Sequence, residues 1–296
     1  MLEGNSGMMT RRTFQAAMLS VASGAQLASA VAQESVVLGL DHIILAVADL
    51  EGAKADFSAL GFALKPGRPH SNGLRNAHAK FPDGTEIELI TAPAATDALA
   101  SEYYNWLKDG DGPAFFGFYA PSFGALIDRL SRLGLLLNRK GGLGTFSEPV
   151  ALRRLFFGRR QHSPTDRPEH FAHANTAFSL AGIWLAGATA EQRLLANLGA
   201  LPLNEPPCGP LGTGSAAVSL PEAEIVFLPE SAQLVAGRGI VGATVTVKSI
   251  HTVESVLTTN RIRHDRVAGC GRQSLWVGPT AAHGMWLEFR QPSGAG

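Results

Sequence analysis

The decisive stretch of the sequence is Leu40-Asp41-His42-Ile43-Ile44-Leu45-Ala46-Val47-Ala48-Asp49-Leu50. Its first half alternates in the way that is typical of a strand with one buried face. From Leu50 to Leu60 the apolar residues recur at helical spacing, and Gly61 follows where a helix end favours a residue with positive φ. The stretch therefore predicts a strand that leads directly into a helix.

The same order recurs three more times along the chain. Further strand-like runs follow each strand and helix, so the repeated unit is β-α-β-β-β. The later strand and helix pairs lie at 114–120 with 123–133, 178–186 with 190–198, and 240–247 with 251–260. In the last copy Arg261 stands where the helix-ending glycine would be. Four matching orders predict an α+β protein built from four tandem modules.

Each predicted module has one helix on one face of a short, mostly antiparallel sheet, and its other face stays uncovered. Two modules must therefore pair to close a core, which predicts two cup-shaped mixed sheets. Modules one and two occupy residues 36–175 and modules three and four occupy 176–292. Pairing of module one with module four is an alternative that the sequence leaves open.

Composition narrows the class of protein further. The 296 residues include 25 Lys and Arg against 25 Asp and Glu, with 45% hydrophobic residues and 2 Cys. This is too apolar for a disordered chain and too poor in cysteine for a disulfide-rich scaffold. Because the net charge is zero, the chain has no long-range field that would attract nucleic acid.

The N-terminal segment has the features of an export signal. Arg11 and Arg12 precede an uncharged, Ala- and Ser-rich run at 16–32, which is shorter than the roughly 20 apolar residues of a membrane-spanning helix. Residues 1–32 resemble a cleaved twin-arginine signal peptide, which implies a periplasmic or secreted protein that is not membrane-bound after cleavage. Whether Cys208 and Cys270 then form a disulfide stays open, as does the choice between monomer and homodimer.

Several segments resemble the glyoxalase-like branch of the vicinal-oxygen-chelate superfamily. They extend from Gly39 to about Leu185, and the most similar are the opening stretch, Gly67-Arg68-Pro69-His70, the run 83–90 and the run 167–175. The resemblance implies paired β-α-β-β-β modules whose concave sheet holds a divalent metal. It further implies that His or Gln from first strands and Glu from fourth strands are the ligands. The superfamily contains isomerases, dioxygenases and metal-free binding proteins, and the fold does not choose among them.

Strand alternation identifies one candidate ligand pair. Ile43, Leu45 and Val47 share the helix-facing side of the first strand, which leaves His42 facing the cup. By the same alternation Glu86 and Glu88 face the cup from the fourth strand. An imidazole and a carboxylate suit zinc, iron, nickel or manganese, so His42 and Glu88 are the predicted metal ligands. Glu88 or Glu86 is also predicted to carry a proton during a reaction.

The repeat assigns equivalent positions in the other modules. Aligned on the helix ends, His42 corresponds to Phe115, Leu180 and Gly242, and Glu88 corresponds to Gln161, Val226 and Glu288. Gln161, or the adjacent His162, is therefore the predicted supplementary metal ligand if modules one and two pair. Glu288 becomes a ligand if module one pairs with module four.

A second group of residues is predicted to bind a substrate. His70, Arg75, Asn76 and His78 lie around the second and third strands of the first module and are polar enough to hydrogen-bond a small molecule. Two hypotheses for function follow. One is a metal-dependent lyase, isomerase or dioxygenase acting on a small oxygenated molecule. The other is a metal-free protein that binds a drug-like or aromatic ligand, which the apolar residues Phe115, Leu180 and Val226 favour.

Overall fold

The structure is a computed structural model that describes residues 34–160, 162–203, 215–269 and 272–292. It contains two mixed sheets of eight strands each. The four predicted modules are all present, each with the order β-α-β-β-β. Within the described ranges no helix is long and apolar enough to cross a membrane.

The first sheet is formed by the first two modules. The elements of the first module are β1 (Gly39–Ala46), α1 (Leu50–Ala59), β2 (Lys65–Pro66), β3 (Arg75–Lys80) and β4 (Glu86–Thr91). An additional helix, α2 (Ala98–Trp106), connects the modules and was not predicted. The elements of the second module are β5 (Gly112–Tyr119), α3 (Phe123–Arg132), β6 (Asn138–Lys140), β7 (Leu143–Thr145) and β8 (Leu155–Gly158).

The second sheet is formed by the last two modules. The elements of the third module are β9 (Ala177–Ala186), α4 (Thr189–Asn197), β10 (Leu201–Pro202), β11 (Ala216–Leu220) and β12 (Ala223–Leu228). The elements of the fourth are β13 (Ile240–Val247), α5 (Ile250–Thr259), β14 (His264–Gly269), β15 (Arg272–Val277) and β16 (Trp286–Gln291). The domain boundaries at 36–175 and 176–292 stay predictions.

Strand order shows which modules pair. The first sheet runs β2-β3-β4-β1-β5-β8-β7-β6 and the second runs β10-β11-β12-β9-β13-β16-β15-β14. The first strands of neighbouring modules, β1 with β5 and β9 with β13, are antiparallel partners at the centre of each sheet. Modules therefore pair in chain order, and the alternative pairing of module one with module four is wrong.

Local sequence explains where the helices begin and end. The side chains of Asp49, Ser122 and Ser249 accept hydrogen bonds from main-chain N–H groups in the first turns of α1, α3 and α5, which stabilises those ends. Gly61 ends α1 at φ 91°, a backbone conformation that favours glycine. Arg261 adopts φ 58° at the corresponding position after α5, as the repeat predicts.

The apolar faces of the strands and helices form a shared core. Ile43 and Leu45 of β1 and Phe57 of α1 are fully buried in the same cluster as residues of the second sheet. The ring of Phe62 stacks on that of Phe289 of β16, with 5.8 Å between centroids. Burial of a large apolar side chain contributes about 1.5–3 kcal/mol, so this packing is the main stabilising term. The concave faces of both sheets point away from this core.

The second module differs from the sequence-based prediction in one respect that matters for the site. The run 152–160 is strand-like in sequence, whereas β8 covers only Leu155–Gly158 and a short 3-10 helix occupies Val150–Leu152. The β6 and β7 strands are also short, with three residues each. The spacing between first and fourth strands is therefore smaller in the second module than in the first.

Candidate functional site

The first cup contains a linked set of charged side chains on its floor. Nδ1 of His42 lies 2.5 Å from Oδ1 of Asp41, and Nε2 of His42 lies 3.7 Å from Oε2 of Glu88. His42 and Glu88 are 13% and 12% exposed at their side chains. The main-chain N–H of Arg160 donates to the other Asp41 oxygen at 2.7 Å. The structure thus brings His42 and Glu88 together, with Asp41 fixing the orientation of the imidazole.

Strand β3 extends this set across the sheet. Asn76 donates from Nδ2 to Oε1 of Glu88 at 2.6 Å. Nδ1 of His78 lies 3.2 Å from Oε1 of Glu86, although the pair lacks the alignment of a hydrogen bond. Glu86 also lies 3.6 Å from Nζ of Lys80. Four of the predicted residues, Glu86, Glu88, Asn76 and His78, therefore lie beside His42 on one surface.

The charges in this group shift one another's titration. Burial lowers the pKa of His42, but the hydrogen bond to Asp41 and the charges of Asp41, Glu86 and Glu88 outweigh it and raise that pKa to about 9. Burial raises the pKa of Glu86, but His78, His42 and Lys80 outweigh it and lower that pKa to about 2. His42 is therefore an imidazolium at neutral pH and Glu86 is a carboxylate.

The second module contributes aromatic rings to the same cup. The ring of Phe156 on β8 lies 4.6 Å from that of His42 between centroids. Gly117 of β5 is the partner of Phe156 in the parallel ladder, and a Cβ atom at Gly117 would overlap the Phe156 ring. Glycine at this position therefore lets the phenyl ring enter the cup.

Phe156, rather than Gln161, occupies the position equivalent to Glu88. Ile44 in β1 and Gly117 in β5 lie the same number of residues before the N-caps of α1 and α3. In the parallel ladders Ile44 pairs with Glu88, and Gly117 pairs with Phe156. The prediction for Gln161 assumes equal spacing in both modules, whereas the second module is shorter. Gln161 itself lies outside the described residues.

One end of the cup is filled by apolar side chains. Ile90, Tyr103 and Trp106 are buried in a cluster that also contains Phe115. The rings of Tyr103 and Phe115 are 5.4 Å apart between centroids. Helix α2, which carries Tyr103 and Trp106, therefore closes this end and adds an apolar wall to the site.

The other two predicted substrate-binding residues make no hydrogen bond or ion pair with this group among the described residues. Arg75 is exposed and alternates along β3 with Asn76, which places it on the face of the buried Ala77 and Ala79 rather than in the cup. His70 lies in the loop between β2 and β3, and its buried Nε2 atom has no hydrogen-bond partner in the described part of the chain. Substrate binding by Arg75 and His70 therefore stays a prediction.

Glu288 lies in the second cup and does not approach His42. Its carboxylate accepts hydrogen bonds from Thr244 at 2.7 Å, from Ser274 at 2.6 Å and from two guanidinium nitrogens of Arg290 at 3.2 and 2.8 Å. The carboxylate oxygens are thus fully used by protein donors. The predicted His42, Glu88 and Glu288 ligand set is not formed, because β16 belongs to the other sheet.

Aromatic residues fill much of the second cup. Trp184 and Trp276 are buried with 4.4 Å between ring centroids, and Val226 belongs to the same cluster. Leu180, predicted to face this cup, is instead buried in the main core. Gly182 and Gly242 stand opposite Glu224 and Trp286 in the parallel ladders, so neither first strand offers an imidazole there.

Two features of the first cup were missed from the sequence. Asp41 was not singled out, although its place directly before His42 was a readable signal. Asp166 lies between two buried lysines, at 2.5 Å from Nζ of Lys65 and 2.9 Å from Nζ of Lys80. It comes from a loop beyond β8, and no local pattern could connect it to strands β2 and β3.

The fold and the site together define a class of protein. Tandem β-α-β-β-β modules with candidate ligands on the concave sheet are the architecture of the vicinal-oxygen-chelate superfamily. Residues 40–199 match the family model of the glyoxalase-like domain. The chain belongs to that family.

Solved structures with the same fold include several dioxygenases. A catechol 2,3-dioxygenase has a TM-score of 0.62 at 12% identity, over 87% of this chain and 88% of the other. The 2,3-dioxygenase LapB from Pseudomonas sp. KL28 has a TM-score of 0.60 at 15% identity, over 87% and 93%. A mutant 4-hydroxymandelate synthase from Streptomyces coelicolor has 0.56 at 12% identity, over 86% and 92%. Comparison with curated protein sequences gives no match.

The donor set decides whether a metal fits the first cup. Two of the four equivalent positions carry donors, His42 and Glu88, and the other two carry Phe115 and Phe156. Among the described residues no group of three or more His, Cys, Asp or Glu side chains is arranged to hold a metal ion. Because tightly bound metals generally need three or four protein ligands, these residues do not fit a resident metal ion.

Proposed function

We propose that the first cup binds a small oxygen-bearing organic molecule directly through side chains, without a resident metal. The observation that carries this proposal is the pairing of His42 and Glu88 on one wall with Phe156 on the other. Polar groups on a rigid sheet opposite an aromatic ring are the usual composition of a small-molecule site. The family contains enzymes and binding proteins, and the geometry favours binding.

The distance between His42 and Glu88 suits a bridging ligand hydroxyl. At 3.7 Å the two side chains are too far apart for a direct hydrogen bond. An oxygen placed between them can accept a hydrogen bond from the imidazolium and donate one to the carboxylate. The Phe156 ring then packs on a flat apolar part of the same ligand. A phenol or an aromatic diol combines these features.

Catechol in the presence of a chelator is the probe that tests this proposal. We expect calorimetry to show binding that EDTA does not change, and that His42→Gln and Glu88→Gln each weaken about tenfold. Arg75→Gln is the matched control, because Arg75 is polar and close in sequence but faces away from the cup. Equal binding by all three variants, or none by the unmodified protein, would contradict the proposal.

A metal-assisted lyase, isomerase or dioxygenase is the second candidate function. Asp41 favours it, because metal-ligating histidines usually donate their other ring N–H to a carboxylate. Metal analysis of protein matured through its own export route separates the two candidates. Stoichiometric zinc, iron, nickel or manganese that is lost in His42→Ala would support this one and overturn the metal-free proposal.

We also propose export by the twin-arginine route. Residues 1–32 lie outside the described part of the chain, so the proposal depends on Arg11 and Arg12 and the uncharged run that follows. The double substitution Arg11→Lys and Arg12→Lys should retain the uncleaved chain in the cytoplasm. N-terminal sequencing of the fractionated protein would show it. Unchanged processing of that variant would argue against this route.

A further inference from the structure

A cleft outside both cups lies between the second and third modules. It has a volume of about 510 Å³ and is lined by the short helix before β8, the end of β9, the start of α4 and the start of β13. Small-molecule sites typically have volumes of about 300–1,000 Å³. The cleft is therefore large enough for a small organic ligand.

The walls of this cleft combine apolar side chains with two guanidinium groups. Val150, Ala151 and Ala190 form the apolar part that is open to solvent. Arg154 and Arg193 provide the positive charge, and within the described ranges no carboxylate oxygen lies within 4.0 Å of either guanidinium. Arginines without a carboxylate partner on an apolar wall are suited to bind an anion.

Arg154 is held in place from its other side. Its guanidinium stacks on the Trp106 ring at 4.0 Å from the centroid, and its Nη1 atom donates to the carbonyl of Ala114 at 3.3 Å. These contacts fix the side chain, and among the described residues they use one of the five N–H donors of the guanidinium. Arg193, in contrast, is exposed and can adjust to a ligand.

One acidic side chain also borders the cleft. Glu191 is half-buried, and burial raises the pKa of its carboxyl, against the effect of a hydrogen bond from its own main-chain N–H. Its charge opposes that of the two arginines. Removal of this charge should therefore strengthen anion binding, which gives the test a variant that gains affinity.

We propose that this cleft is a second ligand site that binds a small organic acid. The carboxylate of the ligand lies between Arg154 and Arg193, and its apolar body packs against Val150, Ala151 and Ala190. A ligand with only a charge contacts the arginines alone, and a ligand with only an apolar chain contacts the apolar wall alone. This site is separate from the first cup and does not depend on the function proposed there.

Three probes of matched size or charge test the proposal by ligand-observed NMR and calorimetry. Hexanoate carries both features, 1-hexanol only the apolar chain, and inorganic phosphate only the charge. We expect hexanoate to bind at least about tenfold more tightly than either of the others. Equal binding of hexanoate and hexanol, or of hexanoate and phosphate, would overturn the proposal.

Variants then locate the bound probe. Arg193→Gln should weaken hexanoate binding about tenfold and Glu191→Gln should strengthen it severalfold, while Arg132→Gln, an exposed control elsewhere, should leave it unchanged. Arg193, Glu191 and Arg132 are not fully buried, so we expect the three variants to fold. Thermal melting of each variant checks that it is folded. His42→Gln should bind hexanoate normally. Unchanged affinity in both cleft variants, or loss in His42→Gln, would contradict the assignment.

Discussion

The imidazole ring of His42 lies against the phenyl ring of Phe156, with 4.6 Å between centroids and an interplanar angle of 54°. One ring comes from the first strand of the first module and the other from the last strand of the second. The first module thus places an imidazole and a carboxylate in the cup, while the second provides an aromatic wall. The two halves of one sheet have the same backbone plan but different chemistry.

This relationship predicts that a metal site can be introduced into the first cup. Phe156→Glu adds a carboxylate as a third donor beside His42 and Glu88, and we expect it to raise affinity for Mn²⁺ or Zn²⁺ about 100-fold. Calorimetric titration of metal into the variant measures the change. Phe156→Leu is the control, because it removes the ring without adding a donor. No gain in affinity would show that the cup cannot accommodate a metal at this position.

Asp41 is predicted to control the protonation of His42. Its hydrogen bond and charge are the largest influences that raise the pKa of the imidazole, so Asp41→Asn should lower that pKa from about 9 toward its ordinary range. A pH titration of the imidazole nitrogens by NMR measures it. Asp128→Asn, on the exposed face of α3, should leave the titration unchanged. A pKa that stays near 9 in Asp41→Asn would exclude this role.

The same ion pairs predict a pH dependence of folding stability. The pKa of His42 is raised above its unfolded value of 6.5, so its contribution is complete below pH 6.5 and is lost as the pH rises through about 9. The side chain is 13% exposed, and we expect a contribution of no more than about 3 kcal/mol to the free energy of unfolding.

Urea denaturation at pH 6 and pH 9.5 measures this contribution. The loss of stability between the two pH values should be smaller in His42→Gln than in the unmodified protein. The difference between the two proteins isolates His42 from His78 and His283, whose pKa values are also raised by neighbouring carboxylates despite the opposing effect of burial. Identical pH profiles would show that the ion pairs of His42 do not stabilise the fold.

The fold was readable from the sequence because the signals are local and repeated. Strand alternation and helical spacing recur within each of the four modules, and a glycine follows the helix in the first three. The convergence of His42 with Glu88 follows from the same alternation, applied to β1 and β4. Both therefore depend on periodicity, which a sequence displays directly.

The remainder of the site depends on spacing that the sequence does not fix. Phe156 takes the position equivalent to Glu88 only because β6, β7 and β8 are short, and strand lengths are less certain than strand existence. The position of Glu288 depends on which modules share a sheet. Asp166 reaches Lys65 and Lys80 across a loop, and such long-range contacts leave no local pattern.

The last prediction concerns Trp106, at the end of α2. The guanidinium groups of two arginines pack on its ring. The Arg154 and Arg238 guanidinium carbons lie 4.0 and 4.2 Å from its ring centroid. Arg238 also donates to the carbonyls of Trp106 at 2.5 Å, Gly110 at 3.0 Å and Asp111 at 3.1 Å. Arg238 lies in the segment before β13. Its contacts therefore connect the second sheet to the wall of the first cup.

Arg238→Met should therefore destabilise the protein by about 3 kcal/mol, because three carbonyls lose a charged donor and the buried cation–π contact is removed. Chemical denaturation measures the loss, and Arg167→Met, at an exposed arginine, should change stability by less than about 0.5 kcal/mol. If catechol binds in the first cup, Arg238→Met should also weaken it, because α2 carries the apolar wall. A variant as stable as the control would show that the two sheets hold α2 without this arginine.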